Sequence, residues 1–480
     1  MNSNLLPSLR IVLLGALSLL DPRVTHAGST ERWPQFRGPN GSGIAERGRP
    51  PIHFGPTSNV LWRVSLDPGQ SSPCIWDERI FLTTFASNRL STLCLDRATG
   101  RVLWSRPAPA EKIEPFHSTG SPAAATPATD GRRVVAYFGS SGLFCYDFAG
   151  QERWSLRLPV PVMLGDYGAS GSPVIHRGLV FLARDQTQGS ELIAVRLRDG
   201  KIAWRVDRSA YRSSFATPVI WRHGSRAEVV LAGSLQFAAY DVRTGAMLWQ
   251  SRGAPVCPVS SPVVAGNRMF YAGSNPGQAD NPWPTFESVV EEADKDGDGA
   301  IGFEEGDSGF RSFLAEFDSN HDRKINHAEW QRFLNYWKSG ENTALMIRAG
   351  GAGDVSTTHV AWKQARGLPV VPTPLAYGDY VYLVKDGGMV TCLDAETGAP
   401  AYQQERLGAL GNYYASPVAA DGRIYAASLQ GVVVVLKAGP EFEVLARNDL
   451  GESIAATPAI ADGHLYVRTA QHLYAFRGAE

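Results

Sequence analysis

The sequence lacks a long hydrophobic run, closely paired cysteines and an excess of either charge. No apolar stretch reaches the roughly 20 residues of a membrane helix, so no span is expected in the mature chain. Lys and Arg total 46 against 47 Asp and Glu, a net charge of -1, and such a balance argues against nucleic acid as a partner. The five cysteines form no CxxC, CxxCH or adjacent pair. The ten histidines show neither HExxH nor zinc-finger spacing, and GxSxG and P-loop motifs are missing. Gly297-x-Gly299-x-x-Gly302 has the spacing of a dinucleotide fingerprint, but no strand pattern precedes it, so nucleotide binding is not inferred.

The N-terminus has the layout of a signal peptide. Arg10 is basic, Ile11 to Leu20 is apolar, and Thr25-His26-Ala27 puts small residues at the -3 and -1 positions of a cleavage site after Ala27. An uncleaved anchor is the alternative. The chain is therefore expected in the periplasm or outside the cell.

What is abundant is turn chemistry and aromatic residues. The chain has 49 glycines, 31 prolines and 12 tryptophans. A Ser-Pro or Thr-Pro pair recurs at Pro73, Pro127, Pro173, Pro218, Pro262, Pro374, Pro417 and Pro458. The spacing is 41 to 54 residues, apart from one gap of 112 between Pro262 and Pro374. Each unit continues with a short apolar strand and a turn such as Asp130-Gly131, Asp421-Gly422 or Asp462-Gly463. A second strand and then a third follow, the third often ending in Leu/Tyr-Asp. A glycine and, four residues later, a tryptophan complete the unit: Gly100 and Trp104, Gly150 and Trp154, Gly200 and Trp204, Gly245 and Trp249. Trp362 ends the interrupted unit and Tyr402 replaces Trp in the next.

Four strands per unit at this period predict propeller blades, which bury their faces only by stacking. The expected fold is all-β: an eight-bladed β-propeller of four-stranded antiparallel blades with a small α-helical insertion. The last unit lacks an outer strand, and Asn59 to Arg63 is expected to supply it and close the ring; seven blades is the alternative. Cys94, Cys145 and Cys392 share one repeat position, which suggests buried packing. The odd count leaves at least one free thiol within a single chain, and a Cys74–Cys94 bridge stays open. Asp96, Asp241 and Asp394 recur at a turn position and are expected to be structural.

Leu95-Asp96-Arg97-Ala98-Thr99-Gly100 with Trp104, and Asp241-Val242-Arg243-Thr244-Gly245 with Trp249, resemble the tryptophan-docking repeat of quinoprotein alcohol dehydrogenases. Asp394-Ala395-Glu396-Thr397-Gly398 matches without the Trp. The same repeat occurs in the non-catalytic outer-membrane assembly factor BamB, and Trp33 to Gly43 resembles the lead-in of many bacterial propellers of this kind. The resemblance implies the fold. It leaves two activities: a scaffold, or a dehydrogenase using pyrroloquinoline quinone (PQQ) on an alcohol or sugar. The enzymes' adjacent cysteines are missing here, and the chain is short for their channel loops. No catalytic residue is assigned.

The long gap has its own composition. From Pro284 to Lys338 there are 13 acidic and 6 basic residues, a net of -7. Asp294, Asp296, Asp298, Ala300 (by its carbonyl) and Glu305 fill positions 1, 3, 5, 7 and 12 of an EF-hand loop, with Gly299 at the turn position 6. Asp318, Asn320, Asp322, Lys324 (carbonyl) and Glu329 fill the same positions of a second loop, whose position 6 is Arg323. A non-Gly residue left-handed there costs on the order of 1 kcal/mol, so weaker binding is expected. One short helix is expected between the loops, with Phe310, Phe313, Leu314 and Phe317 as core. Calcium is the expected ligand, and a structural site is favoured over a sensor.

The resulting division is a signal peptide at 1–27, a lead-in at 28–58, propeller at 59–274, the insertion at 275–343 and propeller again at 344–480. The expected function is an exported, non-catalytic scaffold or binding protein with a protein or cell-envelope partner and bound calcium. The alternatives are the PQQ-dependent dehydrogenase and a channel that binds glycans or other small ligands.

Overall fold

The Ser/Thr-Pro pairs meet around one axis. In a computed structural model the described residues are 31–275, 284–306 and 317–478. The leader, from Arg10 to Ala27, and Phe310, Phe313 and Leu314 lie outside them. Ser72 N–H donates to Thr126 Oγ1, Thr126 to Ser172, Ser172 to Thr217, Thr217 to Ser261, Ser261 to Thr373, Thr373 to Ser416 and Ser416 to Thr457, all at 2.9–3.1 Å. Each hydroxyl thus satisfies a buried amide of the neighbouring unit, which explains why Ser or Thr recurs there. The proline that follows has no N–H to satisfy.

Eight four-stranded antiparallel blades surround this girdle. Blade 1 is Cys74–Trp76, Arg79–Ala86, Arg89–Asp96 and Val102–Ala108, hydrogen-bonded in that order. Blade 4 carries an extra short strand, Gly353–Asp354, parallel to Met247–Arg252. In blade 8, Val60–Ser65 pairs with His472–Phe476, Trp62 opposite Ala475, so the N-terminal strand closes the ring. The gap between Pro262 and Pro374 opens between the second and third strands of blade 5, Arg268–Gly273 and Thr343–Arg348. Within the gap the described residues form two α-helices, α1 (Phe286–Ala293) and α2 (His327–Lys338).

The Gly–Trp spacing has a steric cause. The tryptophan on the outer strand of one blade lies on the turn glycine of the next: Trp62 on Gly100, Trp104 on Gly150, Trp154 on Gly200, Trp204 on Gly245 and Trp362 on Gly398. Each glycine has a φ between +72° and +81°, and a Cβ would come within 2.5 to 2.8 Å of the indole. Each Nε1 donates to a carbonyl of the same turn, as Trp154 does to Leu197 at 2.8 Å. Trp249 faces the interrupted blade, which has no such turn, and donates instead to Glu228 Oε2 at 2.8 Å. Gly200→Ala is therefore expected to destabilise by about 1–3 kcal/mol, read from the urea midpoint at constant m.

The aspartates before these glycines are structural. Asp96, Asp241 and Asp394 each accept from the backbone N–H and the hydroxyl of the Thr three residues on, at 2.7–3.0 Å. All five cysteines are buried and none is disulfide-bonded, so Cys74 and Cys94 are not bridged. Burial pushes Cys94 up to about 12.

The lead-in segment crosses one end of the channel. Trp33 bridges Ile75 in blade 1, and Ile44 bridges Ala419 in blade 7. Between them Arg37, fully buried, donates to the carbonyls of Gly41, Ser42, Thr373, Pro374 and Pro417 at 2.8–3.3 Å. Phe36 forms the floor of the cavity above.

Candidate functional site

Two features carry chemistry: the channel mouth and the acidic insertion beside it. With its floor closed by the lead-in, the channel is a blind pocket of about 790 Å³. Its wall is the Ser/Thr girdle. Its mouth is built by the loops that lead into successive blades, and these carry His117, Tyr167, Phe215 and Tyr414. The His117 and Tyr167 rings stand 5.0 Å apart, and Phe215 meets Tyr167 edge-on at 6.2 Å. Asp386 is the one carboxylate among the described lining residues, which include neither Lys nor Arg. Burial pushes its carboxyl up, against the Tyr413 N–H that it accepts at 2.6 Å and the charge of Lys385.

The insertion reaches this pocket. Trp337, in the last turn of helix α2, lines the cavity wall. Tyr336 hydrogen-bonds the hydroxyl of Ser234, on the second-to-third strand turn of blade 4. Phe286, Val289, Ile301, Ile325, Trp330, Phe333 and Trp337 share one apolar cluster with Met163, Leu164, Phe215 and Val256 of the mouth loops. The Phe317 ring, 5.1 Å from Phe333, borders it.

The two acidic loops repeat one hydrogen-bond pattern. In the first, Asp294 accepts from Gly297 N–H (2.7 Å) and Gly299 N–H (2.9 Å), and Asp298 from Ala300 N–H (2.9 Å). Glu305 accepts from Lys295 and Gly302 N–H, both at 2.6 Å. In the second, Asp318 accepts from Asp322 and Arg323 N–H, Asp322 from Lys324 N–H, and Glu329 from Ser319 and Asn326 N–H. Asn320 Oδ1 also accepts from Asp322 N–H, at 3.1 Å. Ile301 pairs antiparallel with Ile325, and Gly302 with Lys324, joining the loops.

Positions 4 and 6 are left-handed in both loops: Gly297 (+73°) and Gly299 (+81°), His321 (+60°) and Arg323 (+64°). The second loop therefore puts two non-Gly residues where the first has glycine. Backbone N–H groups, Gly299 first for Asp294 and Gly302 first for Glu305, hold both carboxyls below their ordinary range. Burial opposes ionisation of Glu329, but the Asn326 and Ser319 N–H groups hold its carboxyl low as well.

Oxygens of Asp294, Asp296 and Glu305 gather within 4.8 Å of one another. That spacing fits ligands about 2.4 Å from one calcium ion. Asp298 turns instead to the Lys324 ammonium, which also lies 3.5 Å from Asp296. The acids of the second loop do not gather as closely among the described residues.

The sequence profile of the outer membrane protein assembly factor BamB matches residues 55–183, 96–283 and 349–438. The chain belongs to this family. No curated protein matches it by sequence. Among solved structures, BamB from Moraxella catarrhalis superposes with a TM-score of 0.55 at 12% identity, over 87% of this chain and 99% of that one. Quinohemoprotein alcohol dehydrogenase from Comamonas testosteroni gives 0.52 at 12%, over 94% and 82%. The computationally designed Ika8 protein gives 0.54 at 10%, over 87% and 99%. At such identities the likeness is one of fold.

The BamB-family chain keeps most of its specific features in long-range contacts. The Arg37 plug and the Trp337 wall escape a reading based on spacing. The only local signal was the lead-in itself, Trp33 to Gly43, whose density of Gly, Pro and aromatic residues sits outside any repeat. No helix among the described residues is long and apolar enough to cross a membrane.

Proposed function

We propose that the protein is an exported, non-catalytic propeller that serves as a scaffold or binding protein for a protein or cell-envelope partner, and that its insertion is an EF-hand pair holding calcium. BamB-family membership supports the scaffold. The observation that carries the calcium reading is the gathering of three carboxylates on a loop whose backbone amides hold two of them, Asp294 and Glu305, below their ordinary range. Asp294, Asp296, Asp298, the Ala300 carbonyl and Glu305 would hold the ion in the first loop. Asp318, Asn320, Asp322, the Lys324 carbonyl and Glu329 would hold it in the second. Calcium supplies a divalent charge that neutralises these acids. The chain's own part is to pre-form the loops and to anchor them, through α2, on the channel mouth. Lys324 competes with the ion for Asp298, so its ammonium must swing aside.

Calorimetric titration with calcium tests this reading. A saturable heat is expected in the wild type, with affinity reduced at least about 100-fold in Asp294→Ala, Glu305→Ala and less affected by Glu329→Gln. Absence of heat in the wild type defeats the calcium reading. The dehydrogenase alternative shares the fold. Adding PQQ to the calcium-loaded protein tests it, and stoichiometric binding would replace the scaffold reading.

A further inference from the structure

The pocket is built for the opposite charge to that of PQQ. PQQ is a tricarboxylate, and burying anionic carboxylates requires cationic partners. Among the described residues lining the pocket there is no lysine or arginine. Arg212, at the insertion's footing, is stacked on Phe317 and Tyr336 at 5.5 and 5.6 Å and lines the small cleft behind Trp337. The girdle hydroxyls are neutral, and seven of the eight already accept a backbone N–H. The donor set does not fit the quinone.

What the mouth offers is π-faces and one carboxylate. Tyr167 is 45% exposed although His117 and Phe215 pack against it, so part of its ring is open to a ligand. Trp337 and Phe215 are buried in the wall, and Tyr414 and Asp386 are half-buried, supplied by blade 6 and the loop after it. Aromatic rings lining a desolvated site attract cations through their quadrupoles, and a carboxylate adds to that attraction. The volume, about 790 Å³, is in the range of small-molecule sites.

We propose that the blind channel is a binding pocket for a small organic cation with an apolar body, held by the Tyr167, Phe215, Trp337 and Tyr414 rings and countered by Asp386. The wall disfavours anions because no lysine or arginine is among its described residues. The closed floor makes the mouth beside the insertion the route of entry. This inference stands whether or not the insertion binds calcium.

A matched pair of dyes tests it at fixed calcium concentration: thioflavin T, a cation, and 8-anilinonaphthalene-1-sulfonate, an anion. Thioflavin T is expected to bind one per chain and to be displaced by benzyltrimethylammonium and not by benzenesulfonate. Asp386→Asn is expected to weaken it about 10-fold and Tyr414→Ala about 5-fold, with circular dichroism unchanged. Because Trp337→Ala risks loosening the insertion, those two variants carry the test. The proposal is overturned by any of three results: no thioflavin T binding, tighter binding of the anionic dye or of PQQ, or an Asp386→Asn affinity within twofold of wild type.

Discussion

Asp185→Ala is expected to destabilise the protein by about 3–5 kcal/mol, the loss that follows when one partner of a buried ion pair is removed. Asp185 is 2% exposed and Arg208 is fully buried. The pair is bidentate: Nε to Oδ1 at 2.7 Å and Nη2 to Oδ2 at 2.6 Å. Nη1 is taken by the Tyr240 hydroxyl, and the guanidinium lies 4.0 Å from the Tyr211 ring centroid. With the carboxylate gone, a charge with no counter-ion stays buried between blades 3 and 4. Lengthening the distance to water is what makes this costly; an exposed pair such as Arg157–Glu111 should give less than about 1 kcal/mol. The measurement is the urea midpoint with m compared across variants. A loss below 1 kcal/mol for Asp185→Ala would show that water reaches the guanidinium. Replacing both partners with apolar residues should recover part of the loss. The loop that carries Phe215 is tied to the same segment through the backbone, Ser214 N–H donating to the Asp185 carbonyl at 3.2 Å, a contact that the substitution leaves in place.

Much of this architecture could be read from the sequence because it repeats. A residue that recurs from blade to blade does the same job each time, so the Ser/Thr-Pro pairs and the Gly–Trp spacing reported the seven girdle hydrogen bonds and the five blade dockings directly. Asn59 to Arg63 could be assigned to the last blade because an open ring would leave an edge unpaired, and Val60–Ser65 does pair there. The acidic loops were legible as a repeat because a turn whose carboxylates cap fixed backbone N–H groups imposes a fixed spacing. The rest has no period. Arg37 reaches carbonyls 336 to 380 residues away. Trp337 reads as one more apolar residue on an amphipathic helix until the helix is placed on the mouth. The same holds for Asp386, the one carboxylate among the described residues lining the channel.

Glu114 is the buried group that spacing could least have revealed, and it gives the second large effect. Its side chain is 2% exposed, and neither carboxyl oxygen makes a well-aligned hydrogen bond, although the Ala169 N–H lies near. A Cβ built on Gly139 would lie 1.9 Å from Oε2, so glycine is required beside it. Burial pushes the carboxyl up to about 8, opposed by the Ala169 N–H and the Arg184 guanidinium. Arg184 is already engaged by Glu191 and the Pro159 carbonyl, which limits what it can give. The unfolded value is 4.5. Between 4.5 and 8 the folded chain holds a proton that the unfolded chain has released. Stability therefore falls as pH rises through that window, with a slope approaching about 1.4 kcal/mol per pH unit, and levels off above it. His176 and His464 are held low by burial and change stability in the opposite sense near neutral pH, so the difference between wild type and Glu114→Gln isolates the carboxyl. Urea midpoints from pH 5 to 9 should show the wild type losing stability relative to Glu114→Gln by several kcal/mol. A difference that stays flat with pH would mean that Glu114 is ionised in the fold. The segment from Glu114 to Ser121 supplies His117 and Thr119 to the pocket wall, so ionising Glu114 should also loosen the mouth and weaken ligand binding above pH 8.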